Sequence, residues 1–299
     1  MKKPFLIFLF SLFFNSCFGQ YQPVLQYQNI PLSLNPALAG LESKPRINLY
    51  SQILRKHFIY DNSYHGQSSF SFDNGRAFGK KSNIGTGILV NINRNGSRSM
   101  QSNEYYVMMT YQYRIAETAK RIHLLSGGIS LGHIRESYPL FSDETRATLD
   151  LGFGIVYKNT SKQKRASFEV GYSRDHISRH AWFFTPRTYL FLSDQIYASA
   201  NFRIRPRWSL VPRYYRYTIT NRRLVQLDLA VKYQLFKDKE HSLELGIGDR
   251  QTRGWAYREG SFRSFYLGYI FPKFSIHAGI TGVYRISYVN LNVSYLFVK

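Results

Sequence analysis

Residues 288–297 read Tyr-Val-Asn-Leu-Asn-Val-Ser-Tyr-Leu-Phe. Val289, Leu291, Val293, Tyr295 and Phe297 alternate with Tyr288, Asn290, Asn292 and Ser294. Successive side chains of a β-strand point to opposite faces, so one face of this segment is apolar and the other polar. A transmembrane barrel strand needs that division, with lipid outside and a polar lumen inside. A soluble sandwich strand shows it too. The decision rests on how often the pattern recurs and where the aromatics fall.

It recurs from about residue 45 onward. Ile84, Thr86, Ile88, Val90 and Ile92 share a face, with Gly85, Gly87 and Asn91 opposite. Tyr105, Val107, Met109, Tyr111 and Tyr113 face away from Thr110, Gln112 and Arg114. Leu149, Leu151, Phe153, Ile155 and Tyr157 alternate with Asp150, Gly152, Gly154 and Lys158, and Leu227, Leu229, Val231 and Tyr233 with Asp228, Ala230, Lys232 and Gln234. A charge facing lipid at mid-membrane costs a few kcal/mol, so Asp150 and Asp228 mark the inward face.

Asp73-Asn74-Gly75, Asn95-Gly96-Ser97, Lys237-Asp238-Lys239 and Phe271-Pro272-Lys273 read as tight connections. Fourteen strands are predicted, near 45–54, 64–73, 82–94, 103–115, 120–134, 147–159, 164–174, 194–205, 207–218, 223–236, 241–252, 261–271, 273–283 and 286–298. An even number suits a single-chain bacterial barrel; the split at Pro206 rests on the weakest signal. Two longer connections, Glu136 to Arg146 and Asp175 to Asp194, are candidate surface loops. The expected fold is all-β, a transmembrane antiparallel β-barrel over 45–299 behind a short plug-like segment at 20–44.

The amino terminus fits that destination. Lys2 and Lys3 precede the apolar run Phe5 to Phe14, and Cys17-Phe18-Gly19 presents small residues for cleavage before Gln20. Residues 1–19 therefore read as a signal peptide. A rival reading lipidates Cys17, although Phe14 stands where such signals carry Leu. Cleavage after Gly19 removes the one cysteine, leaving no disulfide and no thiolate chemistry.

The formal net charge is +22, and +20 without the two leader lysines. So basic a chain raises nucleic acid as a partner, but export and the even spread of the bases argue against it. Lipopolysaccharide phosphates and other outer-membrane lipids, acidic glycans or an acidic protein are the anions expected. The 24 Tyr and 23 Phe suit strands and the aromatic girdles of a barrel. A mean hydropathy of −0.32, with no spanning apolar run after residue 20, excludes a helical membrane protein.

Residues 20–44 break the alternation and contain Leu34-Asn35-Pro36-Ala37-Leu38-Ala39-Gly40. Asn35 is a good N-cap, Pro36 suits a first helical position, and Gly40 can take the left-handed conformation that ends a helix. Asn35, Pro36, Ala37, Leu38, Ala39 and Gly40 thus read as one capped turn, a plug or lid.

An Asn-Pro-Ala-x-Ala-Gly soon after a leader, followed by a barrel of this length, resembles the PorP/SprF family of type IX secretion and gliding motility. Phe168 to Ser173, Arg205 to Arg213, Gln226 to Leu229, Leu243 to Arg250 and the closing strand resemble the family's later segments. The sequence departs from it at Tyr284-Arg285-Ile286, where members carry a His-Glu pair, and in its richness in Arg. The resemblance implies a non-enzymatic outer-membrane accessory supporting secretion or surface attachment of client proteins such as adhesins. It implies apparatus components and secreted clients as partners, and no cofactor.

Arg203, Arg205 and Arg213 are the candidate lumen basic face, within a cluster that includes Arg207, Arg216, Arg222 and Arg223. Unpaired, they make a positive inner wall, and the alternative function is a channel for anionic solutes. Paired with carboxylates such as Asp228 or Glu244, they simply fill the barrel. His176 and His180, after Asp175, have a metal-ligand spacing but no third ligand, and read as loop. No nucleophile elbow, zinc helix or phosphate loop occurs; His123 and His133 are the residues a rim hydrolase would use.

Overall fold

The computed structural model describes residues 30–42, 44–56, 65–75, 83–95, 101–137, 145–163, 166–177, 192–219, 222–236, 241–253, 260–283 and 286–297. The leader, Cys17 and His180 lie outside them. Fourteen antiparallel strands form a closed barrel in which each pairs with its sequence neighbours and the last returns to the first. They are β1 Arg46–Lys56, β2 His65–Asn74, β3 Ile84–Asn95, β4 Gln101–Glu117, β5 Arg121–Ser137, β6 Thr145–Ser161 and β7 Ala166–Asp175. The second half is β8 Ser193–Arg205, β9 Trp208–Ile219, β10 Arg222–Gln234, β11 Ser242–Arg253, β12 Gly260–Ile270, β13 Phe274–Val283 and β14 Ile286–Leu296.

The strand count and period agree with the sequence reading, and β8 and β9 do part around Pro206. One connection is shorter than expected. β5 runs on to Ser137 and β6 starts at Thr145, because Ser137 pairs with Thr145 and Arg135 with Ala147. β4, β5 and β6 are 17 residues each, beyond the roughly 9–11 that cross a bilayer.

The wall is apolar outside and polar inside. Val107 is 64% exposed, whereas Asp150 is fully buried on the lumen side. In the stretch opened on above, Val289 and Leu291 face out while Asn290 and Asn292 are buried. At the end where both termini of the barrel lie, Trp208 packs on Tyr233 with ring centroids 4.6 Å apart, Phe271 on Phe274 at 3.8 Å and Tyr295 on Phe297 at 4.9 Å. That ring is where a girdle should meet headgroups. β7 ends and β8 begins at the opposite end, the side on which outer-membrane barrels carry their long loops. Among the described residues no helix is long and apolar enough to cross a membrane.

Candidate functional site

The segment before the barrel turns inward and fills the lumen. Pro31–Leu34 forms one helical turn, α1, and Pro36–Leu38 a 3₁₀ turn. The Asn35 carboxamide caps the second, its Oδ1 accepting from the Ala37 N–H at 2.8 Å. Gly40 ends the motif at φ +66°. Capping, proline and terminal glycine act as the sequence implied, but the turn is 3₁₀, and α1 was not foreseen.

The socket was not foreseen either. Strand register aligns Gly85, Thr110, Gly128, Gly154 and Ser173, one residue from each of β3 to β7, into a row across the wall. The motif lies along it in reverse order. Ser173 Oγ donates to the Leu34 carbonyl at 2.8 Å. Asn35 Nδ2 donates to the carbonyls of Tyr172 and Ile155 at 2.9 and 3.2 Å. In the row, Thr110 Oγ1 reaches the Ala39 carbonyl at 2.8 Å; one inward row away, Ser126 Oγ reaches that of Ala37 and Gln112 Nε2 that of Gly40, both at 2.7 Å. Buried carbonyls at the ends of such short helical turns need partners of this kind.

The glycines make the space. A Cβ on Gly128 would come within 2.6 Å of Ala37 backbone, one on Gly85 within 2.3 Å of the Ala39 oxygen, and one on Gly154 within 1.9 Å of Asn35 Oδ1. Ile30, Leu32 and Ala39 pack with Tyr50, Leu89, Tyr106, Met108 and Ile134. Leu34, Ala37 and Leu38 pack with Val156 and, across the lumen, with Tyr197, Tyr215, Tyr217 and Leu224. The plug thereby touches both sides of the barrel. Cavities of about 80 Å³ and 230 Å³ lie on its loop-end and terminus-end sides. Beside the second, Lys158 binds Glu42 at 2.7 Å, and its ammonium holds the Glu42 carboxyl below the usual carboxylate range.

The candidate arginines separate. Arg213 faces the lumen, where it donates to Glu244 Oε1 at 2.7 Å and to the Tyr266 hydroxyl. Arg203 and Arg205 are exposed at the terminus-end rim of β8, astride a register shift. Arg203 is four residues along from Ser199, the cross-strand partner of Arg213, or about 13 Å at strand rise. Among the described residues the buried charges of the wall include Asp73, Glu104, Glu136, Asp150, Asp228 and Glu244, beside Arg250.

The histidines are also placed. His176 is buried, its Nδ1 2.7 Å from Asp150 Oδ2, which also accepts from the Tyr106 hydroxyl at 2.8 Å. Among the described residues no three His, Cys, Asp or Glu converge as metal ligands. His123 Nδ1 lies 2.7 Å from the Tyr157 hydroxyl, and His133 faces outward beside Leu131.

A family model described as "Type IX secretion system membrane protein PorP/SprF" matches residues 16–297. No curated protein matches the sequence. Among solved structures, a TodX deltaS2S3 mutant monoaromatic hydrocarbon channel superposes with a TM-score of 0.53 at 11% identity, covering 90% of this chain and 94% of that one. The CymD monoaromatic hydrocarbon channel gives 0.51 at 10% identity, with 91% and 94% covered. At such identities the likeness is one of fold.

Proposed function

This chain belongs to the PorP/SprF family of type IX secretion system membrane proteins, and from that premise we propose that it is a plugged outer-membrane accessory that supports secretion or surface attachment of client proteins such as adhesins. It sits in the outer membrane as a β-barrel. The observation that carries the proposal is the seating of the Asn35 to Gly40 motif. The segment that most resembles the family occupies the lumen, held by side chains of β4, β5 and β7, by backbone carbonyls of β6 and β7, and by close approach to glycines of β3, β5 and β6. A lumen filled by the protein's own chain suits a docking body better than a diffusion pore.

The partners of this reading are components of the type IX apparatus and the clients' carboxy-terminal regions, and it needs neither catalysis nor a cofactor. Gliding motility belongs with it where the client is a motility adhesin. The anion-channel alternative needs an open, positive wall. Arg213 is instead paired with Glu244, and among the described residues most of the buried wall charge is acidic.

The test is a deletion strain. Surface display of type IX clients should fall while the outer membrane stays intact, and pull-downs of the tagged barrel should recover apparatus components. Full display of every client, with nothing recovered, sinks the proposal. Planar-bilayer recording separates the alternative: the wild-type barrel should pass little current, and a large anion-selective conductance would favour a channel.

A further inference from the structure

The 80 Å³ cavity on the loop-end side of the plug has an unusual lining. It lies between Ser33 on α1 and the wall residues Gln67, Asn93, Glu104 and Asp175. Three of its buried polar atoms find no hydrogen-bond partner among the described residues: Ser33 Oγ, Gln67 Oε1 and Asn93 Oδ1. Gln67 and Asn93 are only 7% and 3% exposed and stand directly opposite each other on β2 and β3. The Asn93 amide has its orientation fixed, because Nδ2 donates to Glu104 Oε1 and to Ser102 Oγ, both at 3.2 Å. Its carbonyl oxygen is thereby the atom left over. Buried acceptors in such a state cost about 1–3 kcal/mol each unless something donates to them or coordinates them.

The surrounding charge says what that something should be. Glu104 and Asp175 line the cavity, and beside them Asp150 is bonded to His176. Carboxylate oxygens on its wall disfavour an anion there. The carboxylates are partly engaged already: Glu104 accepts from Asn91 and Asn93, and Asp175 accepts from Gln195 Nε2 at 2.6 Å. The oxygens that remain are neutral amide and hydroxyl oxygens. Divalent ions bind tightly where several charged ligands converge, whereas rings of carbonyl oxygens replace the hydration shell of a weakly hydrated monovalent ion.

We propose that this cavity binds one monovalent cation, potassium or a primary ammonium, through Gln67 Oε1, Asn93 Oδ1 and Ser33 Oγ, in the field of Glu104 and Asp175. The space suffices for such an ion with a few waters. Bound there, it ties the plug at Ser33 to β2 and β3. Occupancy then stabilises the plug-in state.

The full chain without its leader, refolded in detergent, provides the test. Thermal unfolding is followed in N-methylglucamine chloride while potassium chloride or methylammonium chloride replaces it at constant ionic strength. The midpoint should rise saturably by several degrees, since a ligand bound only by the folded state shifts unfolding by mass action. Gln67→Met should weaken the apparent affinity at least tenfold, and Ser33→Ala, a milder change, severalfold. Heat-modifiable mobility in gels confirms that each variant forms a barrel. A response to potassium alone identifies an inorganic ion, and one to methylammonium alone identifies an amine, such as a lysine side chain, as the occupant. Equal midpoints in all three salts overturn the proposal, as does a response unchanged in both variants. A stronger response to calcium overturns the monovalent assignment.

Discussion

Both halves of the lumen are lined with glycine, but the two halves cover it differently. Across β3 to β6, Gly85, Gly128 and Gly154 lie under the plug, and the nearest atoms are its backbone or the Asn35 carboxamide. Across β10 to β13 the wall covers its own: the Tyr266 ring lies over Gly246, Asp228 over Gly248 and His277 over Gly268. The row in the first sector is a socket for another segment, although Tyr106 lies over Gly132 farther along β5; the second sector is finished by cross-strand side chains. An aromatic laid over a cross-strand glycine is a known way to pin a sheet. A glycine row with no such cover signals an occupant. The socket sector stores plug affinity, and the other sector stores wall stability.

The largest expected effect comes from breaking the socket. Gly128→Leu drives a side chain into plug backbone that cannot rotate away, so the motif must leave its row. The cost should exceed about 3 kcal/mol in urea unfolding of the refolded barrel, with new conductance in planar bilayers. Gly127→Leu, one residue along but with nothing within 4 Å of its Cβ position, should change neither. Equal damage from both would show that the glycine row is not a seat.

Next comes the cap. Asn35→Ala removes one accepted and two donated hydrogen bonds and should cost about 2–3 kcal/mol. Gly154→Ala alone should also destabilise, but with Asn35→Ala present it should be tolerated, giving a coupling of about 1 kcal/mol or more in a double-mutant cycle. Additive losses would mean that the close approach of Gly154 to Asn35 carries no energy.

On the self-covered side, Tyr266→Leu uncovers Gly246 and removes an acceptor from Arg213. It should cost about 1–3 kcal/mol while leaving plug protection from proteolysis unchanged. The smallest effect belongs to Glu42→Gln, because Glu42 is half exposed and its pair with Lys158 is worth about 1 kcal/mol at most. The ion pair lowers the folded-state pKa of Glu42. Its contribution is therefore full above the usual carboxylate pKa and fades as pH falls through the lowered value. Wild type and Glu42→Gln should converge in stability at acid pH, in the same unfolding assay.

Much of this molecule was legible in its residues. Period two in segments such as 288–297, with turn residues between them, is local information, and it yields fourteen strands and an inward face marked by Asp150 and Asp228. Asn35, Pro36 and Gly40 specify a capped turn within a few residues of one another, so that too could be read without a partner. Even the socket left a trace, since Gly85, Gly87, Gly152 and Gly154 fall on the inward side of their segments.

Other features follow from which strands meet at which register, and periodicity carries no such information. Asn35 reaches the carbonyls of Ile155 and Tyr172 only because closure brings β6 and β7 around to it. Arg213 meets Glu244, while Arg203 and Arg205 stay on the rim, although all three belong to one basic run in the sequence. Sequence fixed the alternation and the turn because these depend on neighbours; the seat of the plug and the pairing of the charges depend on closure of the barrel, which only the tertiary structure decides.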